Sequence, residues 1–214
     1  MKILNLYACL GGNRYKWDDV TDVDITAVEL DPYAAELYAE RFPNDSVIVA
    51  DAHQYLIDHY KEFDFIWSSP PCPTHSRSRF WGFGRNGKSP VYPDLTLYEE
   101  ILFLHHHFDG KFVVENVIPY YEPLIPAHKA DRHLYWANFK LPSTLSTRSA
   151  GVCQGSQELQ RLSAFHDFDF TLYNGNQRRD KMARNLVDYE AGQTILEIAC
   201  GILKKSNVNQ LQLL

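Results

Sequence analysis

A cysteine flanked by prolines has the most distinctive chemistry in this sequence. Cys72 lies in Ser-Ser-Pro-Pro-Cys-Pro-Thr-His-Ser, directly after an apolar segment that ends at Trp67. A lone cysteine is ordinarily a small buried apolar residue, but flanking prolines fix the backbone and favour a thiol at the strand end. A thiolate adds to electron-poor carbon atoms when its pKa is lowered. His75, Arg77 and Arg79 follow closely, and we expect their charges to lower it.

A carboxylate ends a second apolar segment. Glu115 follows Phe-Val-Val and precedes Asn-Val, and a carboxylate at the end of such a strand is costly unless it is paired or lies in a cleft. Two interpretations stay open for Glu115 alone. It could cap a helix or pair with a lysine, or it could be a general acid at the ring edge of a base flipped out of a nucleic acid.

Three features before Cys72 follow one another as expected of a nucleoside site. Gly11 and Gly12 form a turn after the first apolar segment, Glu29 ends the second, and Asp51 follows the third. An acid after the second strand can accept hydrogen bonds from a ribose diol. Asp51 could cap the next helix or accept a hydrogen bond from an adenine amino group. Each feature alone has an ordinary structural interpretation, but together they favour a bound nucleoside.

The elements that position these residues are predicted from short apolar segments that alternate with helical patterns. This alternation is typical of an α/β fold, with repeated βαβ units on a mostly parallel sheet and helices on both faces. Ligands bind beyond the carboxyl ends of such strands. The pattern predicts strands over 3–7, 24–28, 46–49, 63–67, 111–114 and 133–139, and helices that start at Pro32 and cover 95–106 and 188–203.

The composition limits the class of protein. A chain of 214 residues with 45% hydrophobic and 22% charged residues suits one α/β domain. No segment approaches the roughly 20 apolar residues that span a bilayer. The four cysteines lack C-x-x-C spacing, so we expect neither a metal site nor disulfides. The net charge of −6 counts against a nucleic acid partner, because phosphate contacts come from basic surfaces.

Two basic segments nevertheless offer contacts for nucleic acid. Residues 77–88 are rich in basic, aromatic and glycine residues and contain no acid, which suits a lid over a flipped base or a plain surface loop. The second segment could bind phosphates or begin a solvated helix. Its basic residues are Arg178, Arg179, Lys181 and Arg184.

The order of these motifs resembles that of the cytosine-C5 DNA methyltransferases. Pro-Pro-Cys followed by Glu-Asn-Val, each closing a strand, is the most specific part of the resemblance. The other matches, in family order, are residues 5–12 to the first motif, 28–31 to the second, Asp51 to the third, 132–136 to the arginine motif and 184–187 to the closing motif.

The resemblance implies a Rossmann-like domain over 1–214 that transfers a methyl group from S-adenosylmethionine to C5 of cytosine in duplex DNA. It implies that Cys72 adds to C6, that Glu115 hydrogen-bonds N3, and that Arg132 completes the catalytic set. The implied cofactor-binding residues are Tyr7, Ala8, Gly11, Gly12, Glu29, Leu30, Asp51, Ala52, Pro71, Asn185 and Val187. The implied substrate-binding residues are Ser76, Arg77, Arg79, Asn116, His133, Arg178 and Arg179.

No metal takes part in this chemistry. By analogy, a small enzyme of this kind is cytoplasmic and is encoded by a bacterium, a phage or another mobile element, where it protects DNA from restriction.

Several residues depart from the family pattern. Pro73 stands where the family has glutamine, Asn5 where it has aspartate, Cys9 where it has glycine, and His133 where it has a second arginine. The largest departure is the region 141–179, where about 40 residues replace a target-recognition domain. We therefore expect relaxed sequence specificity or help from a second subunit, as in a homodimer.

Three alternatives stay open. An amino-methyltransferase acting on cytosine N4 or adenine N6 would carry an aromatic residue after Ser-Pro-Pro, where this chain has Cys72. The same C5 chemistry could act on tRNA or a free cytosine nucleotide, which suits the short recognition region and the acidic net charge. A binding module or inactive homologue would fit the departures at Asn5 and Pro73.

Overall fold

A seven-stranded sheet forms the centre of the computed structural model, which describes residues 1–78, 91–146 and 157–202. The strands are β1 (Lys2–Leu6), β2 (Asp24–Glu29), β3 (Ser46–Val49), β4 (Phe65–Ser68), β5 (Lys111–Val117), β6 (His128–Ala130) and β7 (His133–Ala137). Their order in the sheet is β3-β2-β1-β4-β5-β7-β6. The first five are parallel, whereas β7 runs antiparallel to both β5 and β6.

The strand order reverses between β1 and β4, and this reversal determines where a ligand can bind. From β1 the chain moves outward to β2 and β3, then returns to add β4 and β5 on the other side. The connections that leave this position diverge, so a crevice opens beyond the carboxyl ends of β1 and β4. Leu6 pairs with Ser68 at this end, so Tyr7 and Ser69 both follow at the same edge.

Helices flank the strands within the described ranges. They are α1 (Pro32–Arg41), α2 (Ala52–His59), α3 (Thr96–His107), α4 (Glu158–His166), α5 (Arg179–Asn185) and α6 (Tyr189–Ala199). Asp31 caps α1 by accepting a hydrogen bond from the Tyr33 N–H at 3.0 Å, and Pro32 occupies its first turn, where a missing N–H costs nothing. None of these helices is long and apolar enough to cross a membrane.

Apolar side chains cover both faces of the sheet. Leu4 and Ile66 pack with residues of α2 and α3 on one face, while Ile3 and Phe65 pack with Ile195 of α6 on the other. Successive strand residues point to opposite faces, so neighbouring residues of β1 and β4 enter different clusters. This two-sided burial explains why the parallel strands are almost continuously apolar.

A third apolar cluster attaches the region before α6 to the first turn of the chain. Leu162 of α4, Phe170 and Met182 of α5 pack with Leu10 and with Ala34 of α1. The described residues of this region therefore pack against the first turn and α1, at the end of the sheet that carries the crevice.

The predicted α/β fold with a mostly parallel sheet is confirmed. The six predicted strands coincide with β1 to β5 and β7, although their ends shift by a few residues, and α1 begins at Pro32. The sequence pattern missed β6, which has only three residues, and α4, which lies in the weakly periodic region 141–179. Residues 147–156 of that region lie outside the described residues.

Candidate active site

Cys72 lies on a tight turn directly after β4, beside the reversal of strand order. Its carbonyl oxygen accepts hydrogen bonds from the backbone N–H groups of His75 and Ser76, both at 3.0 Å. Pro71 and Pro73 are exposed, and Cys72 itself is partly exposed. The thiol is thus placed at the crevice and not within the sheet.

Glu115 lies on β5, the strand next to β4. The parallel register pairs Ser68 with Val114, so Ser69 and Glu115 come next on the two strands, and the Ser69 side chain hydrogen-bonds the Glu115 carboxyl group. Only 6% of Glu115 is exposed, and this burial raises its pKa to about 7. Glu115 can therefore hold a proton at neutral pH, which an ordinary glutamate cannot.

Asn116 connects β5 to the start of the Cys72 turn. It is buried, and its side-chain amide donates a hydrogen bond to the carbonyl oxygen of Pro70 at 2.9 Å. Asn116 was predicted to contact substrate, but its amide N–H group is committed to the turn. This bond fixes Glu115 and Cys72 relative to each other.

The electrostatic surroundings of Cys72 differ from our expectation. Burial, and then the charge of Glu115, raise the pKa of the Cys72 thiol to about 11, while Lys181 on α5 acts in the opposite direction. His75 does not supply a positive charge, because it is buried and burial lowers its own pKa. Arg77 donates to the carbonyl oxygen of Pro119 at 3.2 Å. The expectation that His75 activates the thiol by its charge is therefore wrong.

His75 instead connects the Cys72 turn to the segment after β5. Its ring Nδ1 lies 2.6 Å from the Tyr121 hydroxyl, and its carbonyl oxygen accepts a hydrogen bond from the Tyr120 N–H at 3.2 Å. The Tyr98 hydroxyl of α3 donates in turn to the Tyr121 hydroxyl at 3.2 Å. We call His75, Tyr121 and Tyr98 the turn tether.

The two residues from the arginine motif approach Glu115 at the start of β7. Nε2 of His133 lies 3.5 Å from Oε1 of Glu115, and the positive charge of Arg132 favours the ionised form of the same carboxyl group. Both side chains are partly buried. The predicted catalytic residue Arg132 and the predicted substrate residue His133 are thus brought to Glu115.

The turn after β1 is strained and closely packed. Tyr7 and Cys9 adopt φ values of +56° and +49°, and such left-handed residues cost about 1–3 kcal/mol each. A Cβ atom on Gly11, whose φ is +70°, would lie 2.3 Å from an aromatic ring after α1, and one on Gly12 would lie 2.4 Å from the Val187 carbonyl oxygen. Packing therefore requires glycine at both positions, and at Gly11 the positive φ requires it as well.

Glu29, the last residue of β2, and Asp51, two residues after β3, lie at the same edge of the sheet. The Glu29 carboxylate accepts hydrogen bonds from the backbone N–H groups of Cys9 and Asp31, both at 2.8 Å. It therefore connects the turn after β1 to the turn after β2. Asp51 caps α2 through the Gln54 N–H at 2.9 Å, which agrees with its structural interpretation and leaves its second oxygen for a ligand. Leu30 is 66% exposed, as an apolar wall for a planar ring would be.

The remaining predicted cofactor residues lie around this edge. Ala8, Ala52 and Val187 are buried and can contribute only backbone or close apolar contact, whereas Asn185 at the end of α5 is exposed. Within the described ranges, no three His, Cys, Asp or Glu side chains come together as a metal site requires.

Sequence reasoning missed a buried carboxylate, Glu100 on α3. It is fully buried and accepts hydrogen bonds from the hydroxyl groups of Tyr7 at 2.6 Å and Ser68 at 2.5 Å. The signal was available, because Glu100 shares the buried helix face of Leu97 and Leu104, and an acid at such a position needs partners.

The predicted phosphate contacts on α5 are largely engaged within the protein. Arg178 pairs with Asp180 at 3.0 Å, Arg184 pairs with both Glu158 at 3.0 Å and Asp180 at 2.7 Å, and Arg179 donates to the carbonyl oxygen of Tyr173 at 2.9 Å. The side chain of Arg178 is still 83% exposed. Arg79 and the other basic residues up to position 88 lie outside the described residues.

A family model described as C-5 cytosine-specific DNA methylase matches residues 1–118, from the first strand through the Glu-Asn-Val motif of β5. The chain belongs to this family. No curated protein matches the sequence. Family membership establishes S-adenosylmethionine as the cofactor and a cytosine of a nucleic acid as the class of substrate.

Solved structures agree on the fold. A crystal structure of a Spodoptera frugiperda DNMT2 mutant superposes with a TM-score of 0.55 at 15% identity, covering 93% of this chain and 99% of that one. The Entamoeba histolytica methyltransferase EhMeth gives a TM-score of 0.55 at 10% identity, covering 96% and 99%. At such identities the likeness concerns the fold alone.

The residues at the crevice of this methyltransferase suit S-adenosylmethionine. The carboxylate of Glu29 at the end of β2, the exposed side chain of Leu30 and the carboxylate of Asp51 at the start of α2 all lie at this edge of the sheet. Carboxylates also surround Tyr7, since Glu100 and Asp51 both raise its pKa. A site rich in negative charge fits a cofactor that carries a positive sulfonium.

Proposed function

We propose that this protein methylates C5 of cytosine in duplex DNA through a covalent adduct between Cys72 and C6 of the base. The observation that carries the proposal is that the Cys72 turn, which follows β4, lies beside Glu115 on the adjacent strand β5, so that a thiol and a carboxyl group with a pKa of about 7 come together at one crevice. An amino-methyltransferase needs no thiol at this position.

The two residues would act together on a cytosine that has left the stack. The Cys72 thiolate forms a bond to C6, while the Glu115 carboxyl group donates a hydrogen bond to N3 and stabilises the negative charge that develops on the ring. Addition makes C5 nucleophilic, which it is not in the free base. After methyl transfer, loss of the C5 proton to a base or water expels Cys72 and restores the aromatic ring.

S-adenosylmethionine supplies the methyl group that C5 attacks. On this chain Glu29 would hold the ribose, Asp51 the adenine amino group, and Leu30 the face of the ring, with Gly11 and Gly12 allowing the first turn to pass close by. Pro71 would contact the reacting end from the Cys72 turn. Arg132 and His133 would contact the base from β7, beside Glu115.

Transfer RNA is the second candidate substrate. The net charge of −6 and the pairing of Arg178 and Arg184 with acids reduce the positive charge that α5 can offer to the backbone of a long DNA duplex. The region 141–179 is also short for reading base edges in a duplex. These observations favour a substrate whose shape, and not whose sequence, is recognised.

Methyl transfer from radiolabelled S-adenosylmethionine to duplex DNA, tRNA and dCMP would test the proposal, with the methylated base identified by mass spectrometry. We expect 5-methylcytosine in DNA, no activity in Cys72→Ala, and wild-type activity in the matched control Cys200→Ala. 5-Methylcytosine in tRNA alone would replace the DNA substrate. N4-methylcytosine or N6-methyladenine would contradict the C5 reaction.

A further inference from the structure

Glu100 forms a buried anionic centre beneath the proposed cofactor site. Its side chain has no exposed surface, and its two oxygens accept from the Tyr7 hydroxyl at 2.6 Å and the Ser68 hydroxyl at 2.5 Å. Nδ1 of His53, at the start of α2, lies 3.2 Å from Oε1 of Glu100. Two hydroxyl groups therefore donate to this side chain, and a histidine ring lies within hydrogen-bond distance of it.

The partners of Glu100 place this charge at the reversal of strand order. Tyr7 follows β1, and Ser68 ends β4, the two strands between which the crevice opens. Ser68 is also followed, four residues later, by Cys72. Under the proposed function the methyl group is delivered to a base at Cys72, so the sulfonium of the cofactor would lie at the same reversal of strand order as Tyr7 and Ser68.

Charges around Tyr7 are mostly negative. Glu100, Asp51 and Asp94 all raise the pKa of the Tyr7 hydroxyl, after burial itself. His53 supplies a positive charge, since the bond to Glu100 raises its pKa above the ordinary value. Nε2 of His53 lies 3.8 Å from Oε2 of the exposed Glu99. A buried charge is screened by salt much less than an exposed one.

The cofactor changes charge during the reaction. S-adenosylmethionine has a positive sulfonium, and S-adenosylhomocysteine, the product, has a neutral thioether. We propose that Glu100 is a positioning residue that makes the site selective for the charged cofactor over the spent one, acting through space and through Tyr7 and Ser68. The inference rests on the cofactor site of the proposed function, but it does not depend on which nucleic acid is methylated.

Calorimetry with S-adenosylmethionine and S-adenosylhomocysteine, without nucleic acid, gives the ratio of the two Kd values. Glu100→Gln keeps the shape and removes the charge, so the ratio should move towards S-adenosylhomocysteine on the order of tenfold. Glu99→Gln is the matched control. It removes the same charge from the neighbouring residue, whose side chain is 64% exposed. The control should leave the ratio within about twofold.

His53→Gln provides an independent test with the opposite sign. At pH 6.5 the raised pKa keeps His53 charged, so its replacement removes a positive charge that partly balances the negative charge of Glu100. The ratio should therefore shift towards S-adenosylmethionine by about twofold to threefold. His53 is partly exposed, and its replacement is compatible with folding even if Glu100→Gln is not.

The outcomes separate the inference from the proposed function. Equal weakening of both ligands by Glu100→Gln, or a shift in the same direction by both variants, would overturn the charge-selective role and leave the cofactor site standing. Failure of the wild-type protein to bind either ligand would overturn the cofactor site itself. Opposite shifts, with Glu99→Gln unchanged, would support the inference.

Discussion

At the scale of single residues, burial raises the pKa values of both reacting groups, with opposite consequences for the chemistry. Burial raises the pKa of Glu115 to about 7, which suits an acid that must donate a hydrogen bond to N3 at neutral pH. Burial also raises the pKa of the Cys72 thiol to about 11, so the thiol stays mostly protonated until substrate is bound. The positive charges that would correct this belong to residues such as Lys181, or to groups that arrive with the substrate.

The pH dependence of kcat/KM follows from these two pKa values. Below about pH 7 Glu115 keeps its proton, so the rate should rise tenfold per pH unit with the thiolate fraction of Cys72. From about 7 to about 11, each gain in thiolate is cancelled by an equal loss of protonated Glu115, and the rate should be level. Steady-state measurements of kcat/KM at a series of pH values below and above 7 would test this profile.

Glu115→Gln is the control for that profile. The amide cannot titrate, so its much slower rate should keep rising above pH 7 with the thiolate fraction alone. A wild-type rate that rises just as steeply above pH 8 would mean that Glu115 is not required in its protonated form.

At the scale of elements, the turn tether fixes how the Cys72 turn lies against β5. His75 is three residues after Cys72, and Tyr121 is six after Glu115, so the 2.6 Å contact between them joins the two reacting segments. The Tyr98 hydroxyl also bonds the Tyr121 hydroxyl, so α3 is connected to the same two segments. Removing the Tyr121 hydroxyl should therefore misplace the nucleophile without unfolding the sheet.

We expect Tyr121→Phe to lower the rate of methyl transfer by about tenfold, because small misplacements of a reacting group carry large costs. The Kd for S-adenosylmethionine should stay unchanged. His75→Gln should cost as much, and the double variant no more than either single one, since all three lose the same bond. Tyr33→Phe, at an exposed position, is the control. Additive losses would argue against the tether.

Gly192 on α6 lets this helix touch the first turn of the chain. A Cβ atom there would lie 2.0 Å from the Asn13 carbonyl oxygen. In an ordinary helix Gly→Ala stabilises by about 1 kcal/mol, whereas Gly192→Ala should destabilise by about 1–3 kcal/mol. Urea unfolding measures the sign, with Gln193→Ala as the control. A stabilised Gly192→Ala variant would contradict the packing described here.

The strands of the sheet could be predicted because parallel strands that are buried on both faces have nearly continuous apolar sequences, as β1 and β4 do. The same pattern placed Glu29, Asp51 and Cys72 at or shortly after the ends of strands. It also placed Glu115 at a strand end, but β5 continues to Val117 and Glu115 lies within it. The sequence did not reveal the role of His75, because its pKa and partner depend on Tyr121, which is 46 residues away.

At the scale of the whole molecule, the region 141–179 is short and depends on contacts with the rest of the protein for its position. Its described part packs through Leu162 and Phe170 against the first turn and α1. The net charge is −6, so attraction to phosphate must come from local groups. About 40 residues are few for reading base edges in a groove, so we expect relaxed specificity or help from a second subunit.

Bisulfite sequencing of a plasmid treated with the enzyme would test this expectation. We expect methylated cytosines in a short or degenerate sequence context, because most of the specificity must come from the crevice itself. A long and strictly defined recognition site would contradict the account of the 141–179 region, and would direct attention to a dimer in which a second copy supplies the missing contacts.

Covalent trapping tests the central claim most directly. Duplex DNA with 5-fluorocytosine at target positions is incubated with the protein and S-adenosylmethionine, because fluorine at C5 prevents the elimination that releases Cys72. The account predicts a denaturant-stable adduct that forms with the wild-type protein and with Cys200→Ala but is lost in Cys72→Ala. Methyl transfer to ordinary DNA without any adduct on the fluorinated duplex would contradict it.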